Sequence, residues 1–129
     1  MPVVRVHMSR NLLSVEPGEK IAEVAQRMVD RNLGAVLVLD AGRLVGIMTE
    51  RDILRAVARG LHVDAVVAEY MTRDPETIGP DDTTQHAAVL MIHGGFRHLP
   101  VTERGDVVGI VSIRDLMRVV LEDSAPRGV

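Results

Sequence analysis

The chain has 129 residues, of which 47% are hydrophobic and 26% are charged, and its formal net charge is −3. This length suits one compact domain or two small units that share a core. The absence of cysteine excludes disulfides, thiolate nucleophiles and cysteine-based zinc sites. A negative net charge with 2% aromatic residues argues against a nucleic-acid partner.

Hydropathy gives no indication of a membrane segment. No apolar run approaches the roughly 20 residues that span a bilayer, and the first residues lack the apolar stretch of a secretory signal. A chain without cysteine also fits a reducing compartment. We therefore expect a cytoplasmic protein that does not contact a membrane.

The chain repeats itself in register. Residues 8–57 align without a gap on residues 71–120 at a fixed offset, which is 80 − 17 = 63 for Pro17 and Pro80. Identical pairs include Met8/Met71, Arg10/Arg73, Ala25/Ala88, Met28/Met91, Gly42/Gly105, Gly46/Gly109, Arg51/Arg114, Asp52/Asp115 and Arg55/Arg118. Two copies of one unit predict two domains, residues 1–63 and 64–129, which pack with pseudo-two-fold symmetry and leave a ligand cleft between them.

Each copy predicts the same β-α-β-β-α unit, so the expected fold class is α/β (α+β). A short extended segment at residues 12–15 or 76–78 leads through a turn into an amphipathic helix. A β-hairpin follows at residues 35–48 or 99–111, and a second helix begins near Thr49 or Ser112. Residues 60–70 are expected to connect the copies, and residues 124–129 to form a frayed tail.

The first helix of each copy carries an apolar stripe, which we expect to bury against the sheet. The stripe residues are Ile21, Val24, Ala25, Met28 and Val29 in the first copy and Thr84, Ala87, Ala88, Met91 and Ile92 in the second. Asn32-Leu33-Gly34 and Gly94-Gly95 should end these helices, because glycine readily adopts the left-handed conformation of a helix terminus.

One motif recurs where each hairpin runs into its second helix: Gly-x-x-(Thr/Ser)-x-x-Asp. It is Gly46, Thr49 and Asp52 in the first copy and Gly109, Ser112 and Asp115 in the second. A hydroxyl followed three residues later by an acid can be a capping box, in which the two side chains satisfy amides of the first helical turn. The same helix start can bind phosphate, and the acid can accept hydrogen bonds from a ribose diol. Both interpretations are compatible, although a cap has no need of the cations Arg51 and Arg114.

The two copies resemble CBS domains, modules named after cystathionine β-synthase, in the tandem arrangement called a Bateman module. The resemblance covers about residues 3–124. It is carried by the repeated Gly-x-x-(Thr/Ser)-x-x-Asp motif and by two further strings, Met71-Thr-Arg-Asp-Pro-Glu-Thr-Ile-Gly-Pro-Asp-Asp with its first-copy counterpart Met8-Ser-Arg-Asn-Leu-Leu-Ser-Val-Glu-Pro, and Arg97-His98-Leu99-Pro100-Val101.

The resemblance implies a regulatory module, and not an enzyme, that binds AMP, ADP, ATP or S-adenosylmethionine in clefts between the copies. By resemblance Asp52 and Asp115 would hold ribose hydroxyls, and Thr49 and Ser112 would lie near ribose or phosphate. The other residues that it implicates are the phosphate-binding Arg97 and His98, the neighbouring Arg51 and Arg114, and Val15, Ile78, Pro100 and Val111 as walls of an aliphatic adenine slot.

The copies differ where phosphate is expected. The second copy has Arg97-His98-Leu99-Pro100, whereas the first has Gly34-Ala35-Val36-Leu37, without a cation. We therefore expect two nucleotide sites of unequal affinity.

Alternative functions have less support in the sequence. No catalytic motif or phosphate-binding loop emerges. A shared metal on one helix is disfavoured, since His86 and His93 have Glu23 and Asp30 as repeat counterparts. No cofactor is required. The main alternative is a structural module that dimerises and docks on a partner without nucleotide. In either case we expect a homodimer formed through exposed helices and an effector protein that the sequence does not specify.

Overall fold

The computed structural model describes residues 1–124. The elements in chain order are α1 (Val4–His7), β1 (Ser14–Val15), α2 (Ile21–Arg31), β2 (Ala35–Asp40), β3 (Arg43–Thr49), α3 (Glu50–Ala58), α4 (Val67–Tyr70), β4 (Thr72–Arg73), α5 (Thr84–Gly94), β5 (His98–Glu103), β6 (Asp106–Ser112) and α6 (Ile113–Ser124). Of the expected tail, Ser124 ends α6 and the other residues lie outside the described part of the chain.

Both predicted hairpins are present with the same register. In β2 and β3 the pairing runs from Ala35 opposite Thr49 to Asp40 opposite Arg43. In β5 and β6 it runs from His98 opposite Ser112 to Glu103 opposite Asp106, which is the same pairing 63 residues on. β1 adds to β2 in parallel and β4 adds to β3 antiparallel, giving a four-stranded sheet.

The second hairpin has equivalent flanking segments, but each pairs with it through a single bridge instead of a strand. Ile78 bridges Val101 in parallel, which corresponds to the β1–β2 pairing, and Ser9 bridges Ile110 antiparallel, which corresponds to β3–β4. The predicted extended segment at residues 76–78 is therefore a single bridge instead of a strand. These neighbours come from distant parts of the chain, so hairpin periodicity could not reveal them.

The chain divides into two compact units that differ from the sequence repeats. One unit is Leu12–Pro75, and the other combines Met1–Asn11 with the chain from Glu76 onward. The repeat boundary expected at residues 63 and 64 differs from these packing boundaries, because the segment before each repeat's first strand pairs within the other repeat. Ser9 pairs with Ile110, whereas Thr72 pairs with Ile47.

The one-turn helices α1 and α4 were not predicted. They lie 63 residues apart, and Val4 and Val67 are fully buried at equivalent positions. The backbone N–H of Val4 donates to the carbonyl of Asp82, and that of Val67 donates to the carbonyl of Glu19. Helices of four residues are too short to produce an apolar period, so the sequence pattern places the residues of α4 in a connector.

Each unit has its own hydrophobic core. The core of Leu12–Pro75 includes Ile21, Val24 and Met28 of α2, as the stripe predicted. The core of the other unit includes Ala87 and Met91 of α5, and Thr84 is also buried.

The last stripe positions were predicted wrongly. Val29 is 74% exposed and Ile92 is 76% exposed. Each follows a buried methionine directly, and one residue turns the side chain by about 100° around the helix. These two residues therefore face away from the core.

In the described part of the chain, no helix combines the length and apolar character that crossing a membrane requires.

Candidate functional site

The repeated motif lies at a junction between a strand and a helix in each unit. β3 ends at Thr49 and α3 begins at Glu50, while β6 ends at Ser112 and α6 begins at Ile113. The backbone N–H of Glu50 donates to the carbonyl of Gly34 at 3.0 Å, and that of Ile113 donates to the carbonyl of Arg97 at 2.9 Å. The residue before the first hairpin strand is thus tied to the helix start. We call these two sites the first and the second junction.

At the first junction Asp52 forms a complete capping box. Its Oδ2 accepts from the backbone N–H of Thr49 at 2.9 Å and from the Thr49 hydroxyl at 3.2 Å. In return, the backbone N–H of Asp52 donates to Thr49 Oγ1 at 3.3 Å. The capping interpretation of the motif is therefore confirmed here.

Thr72 on β4 adds a hydrogen bond that the motif does not contain. Its hydroxyl lies 3.2 Å from Asp52 Oδ1 and 3.4 Å from Oδ2. Arg55 Nη1 lies 3.6 Å from the same Oδ1, one helical turn along α3. The Asp52 side chain is 6% exposed. A buried carboxylate needs such partners, because an unpaired buried charge is costly.

At the second junction the same pattern holds Asp115. Asp115 Oδ2 accepts from the backbone N–H of Ser112 at 2.8 Å and from its hydroxyl at 3.0 Å, and the backbone N–H of Asp115 donates to Ser112 Oγ at 3.2 Å. Arg118 Nη1 lies 3.5 Å from Oδ1. The repeat counterpart of Thr72 is Ser9, and the hydroxyl of Ser9 accepts from the backbone N–H of Asn11.

The glycine of the motif has a structural role that sequence reasoning missed. A Cβ on Gly46 would lie 2.6 Å from Met71 Sδ and 3.0 Å from the carbonyl oxygen of Thr72. On Gly109 it would lie 2.5 Å from Met8 Sδ and 3.1 Å from the carbonyl oxygen of Ser9. The segment of the same chain that runs beside each glycine approaches too closely to leave room for a side chain. A signal for this contact is present in the sequence. The two copies of the repeat have the same residue at Gly46 and Gly109, and the same residue at Met8 and Met71.

The predicted basic residues lie at the two junctions. Arg51 and Arg114 are exposed in the first turns of α3 and α6. Arg97 is exposed beside the start of α6, and His98, which is half-buried, pairs with Ser112 across the hairpin. The structure therefore brings Arg97, His98 and Ser112 together, whereas Gly34 and Ala35 occupy the equivalent places at the first junction.

The residues expected to wall an adenine slot are buried. Val15 belongs to the core of its unit, and Ile78 and Val111 belong to the core of the other. Pro100 is also fully buried, on β5. Their side chains therefore pack in the interior beneath the surface instead of lying open on it.

Two junctions that share the same capping box define a tandem pair of mixed α/β modules, each built around one hairpin and a capped helix. A comparison with protein families matches the CBS domain over residues 3–59 and again over residues 67–122. The chain therefore belongs to the CBS-domain family, with two such domains in tandem.

Curated relatives share this sequence over most of its length. An uncharacterized 17.7 kDa protein of Acidianus ambivalens is 44% identical over 110 residues, or 84% of this chain and 66% of that protein. The uncharacterized protein MJ1225 of Methanocaldococcus jannaschii is 32% identical over 123 residues, or 95% of this chain and 44% of that protein. The chain thus spans from under half to about two thirds of these two relatives.

Solved structures of CBS-domain pairs are similar over nearly the whole chain. The pair of protein MJ0100, solved with 5-methylthioadenosine and S-adenosyl-L-methionine, has a TM-score of 0.88 at 28% identity and covers 95% of this chain and 98% of that chain. The protein PAE2072 of Pyrobaculum aerophilum, complexed with AMP, has a TM-score of 0.84 at 30% identity and covers 96% and 99%. These likenesses agree with the tandem α/β fold expected from the repeat.

Proposed function

We propose that this chain is a regulatory module that binds an adenosine-containing ligand, such as AMP, ADP, ATP or S-adenosylmethionine, at a junction between hairpin and helix. The observation that carries the proposal is the duplicated junction in a chain whose structural relatives were solved with AMP, 5-methylthioadenosine or S-adenosyl-L-methionine. The module is not proposed to catalyse a reaction. Its output would be a changed affinity for an effector protein, which requires the ligand to distinguish two states of the module.

The chemistry of the junction suits the two polar parts of such a ligand. The start of a helix carries a partial positive charge, and exposed arginines there can contact phosphate in a bidentate manner. Arg114 and Arg97 have this placement at the second junction. A carboxylate at the junction can accept hydrogen bonds from both ribose hydroxyls, and charged acceptors form the stronger bonds.

A thermal-shift screen of the full chain tests the proposal. AMP, ADP, ATP, 5-methylthioadenosine and S-adenosylmethionine are added separately, with GMP as a matched control for the base. A ligand that binds only the folded state stabilises it by about 2.7 kcal/mol at a hundredfold excess over its Kd, so at least one adenosine compound should raise the melting temperature. No shift with any of the five compounds would contradict the proposal.

The interaction module is the second candidate, and exposed apolar side chains favour it. On α3 and α6 these are Leu54, Val57, Ile113, Met117, Val120 and Leu121. Leu54 and Val57 have Met117 and Val120 as repeat counterparts, so the exposure occurs at equivalent positions. These helices are proposed as the surface of a homodimer, which could form with or without a bound nucleotide. A flat ligand screen together with a stable dimer would favour this function.

A further inference from the structure

We infer that the acids of the two junctions are not equivalent: Asp115 is the acid that binds the ribose diol, whereas Thr72 acts as a positioning residue that holds Asp52 in its capping role. This inference rests on the proposed function and names the junction that carries the tight site. The chain would then bind one adenosine compound tightly, at the second junction, instead of two with similar affinity.

The first argument is the occupancy of the Asp52 carboxylate. Oδ2 already accepts two hydrogen bonds from Thr49, and the Thr72 hydroxyl lies within 3.4 Å of both oxygens. A ribose diol donates from two hydroxyl groups and needs open lone pairs on its acceptor. It would therefore have to displace Thr72 from Asp52, and each lost hydrogen bond would weaken binding.

The second argument is the contrasting state of Asp115. Its Oδ2 is held by Ser112 in the same way, but among the described residues the polar partner of Oδ1 is the exposed Arg118, at 3.5 Å. The hydroxyl of Ser9, equivalent to Thr72, is directed to the backbone of Asn11. The Asp115 side chain is 12% exposed, twice the 6% of Asp52. Of these two acids, Asp115 therefore has the more exposed side chain and the fewer hydrogen-bond partners among the described residues.

The third argument is charge, which is independent of these hydrogen bonds. The second junction carries Arg97 and His98 where the first has Gly34 and Ala35. In the first turn of the helix the first junction has Glu50, whereas the second has the uncharged Ile113. An anionic phosphate is attracted by the added cation Arg97 and repelled by an added carboxylate, so charge also favours the second junction.

Isothermal titration of the full chain with AMP, and in parallel with S-adenosylmethionine, tests the inference on matched variants. Asp115→Asn and Asp52→Asn each keep a side-chain oxygen that can accept the backbone N–H of the N-cap residue, because a capping box can be closed by an amide as well as by a carboxylate. They remove the charged, two-oxygen acceptor that a diol needs. Asp115→Asn should weaken the tight event about tenfold more than Asp52→Asn does.

Variants of Thr72 distinguish the proposed positioning role of this residue from a purely structural one. Thr72→Val removes the hydroxyl and uncovers Asp52, so the weaker binding event should tighten. Thr72→Ser keeps the hydroxyl and should behave like the natural chain. Two equal sites in the natural chain, or an Asp52→Asn loss as large as that of Asp115→Asn, would overturn the inference while leaving the proposed function intact. No binding of either compound to the natural chain would overturn both.

Discussion

The two acids stabilise the starts of their helices, and they are also residues that are proposed to contact a ligand. Asp52 and Asp115 both close capping boxes by accepting from the backbone N–H of the N-cap residue, and losing a hydrogen bond to a charged group costs about 1.5–3 kcal/mol of stability. An alanine at either position would therefore disturb the fold as well as any ligand contact. Weakened binding in an alanine variant could not be assigned to the diol, so the asparagine variants are the ones that separate the two roles.

The motif glycines make a prediction about stability that is separate from ligand binding. Gly46→Ala and Gly109→Ala should each lower the free energy of unfolding by roughly 1–3 kcal/mol, because the added methyl group meets a methionine side chain and a backbone carbonyl. Urea denaturation measures the loss.

Gly18→Ala is the matched control for this pair. Among the described residues other than its chain neighbours, none has an atom within 4 Å of a Cβ built on Gly18, and the φ of Gly18 lies outside the left-handed region. Its stability should change little. A loss of stability at Gly18 as large as that at Gly46 would show that the close approach of Met71 and Thr72 is not the cause of the destabilisation.

Among the elements, α1 connects the start of the chain to the second hairpin. Val4 is in the core with Leu99 and Val111, and the backbone of Val4 and Arg5 bonds to the carbonyls of Asp82 and Pro80. Arg5 also forms ion pairs with Glu103 at 2.8 Å and Asp81 at 3.3 Å. The hydrogen bond to Glu103 raises the pKa of Arg5, so this guanidinium stays charged.

Burial, more than charge, should hold α1 in place. Val4→Ala is expected to cost roughly 1–3 kcal/mol, because it leaves a cavity in a packed core. Arg5→Ala should have a small effect, since exposed ion pairs contribute little. Hydrogen exchange followed by NMR can locate the change: Val4→Ala should reduce the protection of amides in β5 and β6.

The equivalent substitution in the other unit is the control. Val67→Ala should reduce the protection of amides in β2 and β3, because Val67 is in the core of Leu12–Pro75. If Val4→Ala instead loosened β2 and β3 first, the division of the chain into these two units would be wrong.

For the whole molecule, the exposed apolar side chains of α3 and α6 make an oligomer the expected state. Leu54→Glu and Met117→Glu would each place a charge in the proposed dimer surface, and burying an unpaired charge is strongly unfavourable. Both variants should shift the protein from dimer to monomer in analytical ultracentrifugation. Val63→Glu is the control, because Val63 is more exposed than Leu54 or Met117 but lies outside the helices. A natural chain that is monomeric at high concentration would contradict the proposed dimer.

Local patterns in the sequence were sufficient for much of this protein. The repeat, the two hairpins and the capping boxes were all predicted, because each depends on residues close together in the chain. Thr49 and Asp52, for example, are three residues apart, and a helix start brings them into contact wherever it occurs. The motif residues could therefore be named before their surroundings were known, although their role toward a ligand remains a prediction.

Tertiary structure decided what the neighbours of these patterns are. Only the fold places Met1–Asn11 in the unit of the second hairpin, directs Thr72 to Asp52 across 20 residues of sequence, and turns Val29 and Ile92 outward. The reason is physical: periodicity reports which face of an element is apolar, but long-range pairing determines what covers that face. The two acids have the same local sequence pattern, and the difference between their surroundings arises from a chain segment distant in sequence.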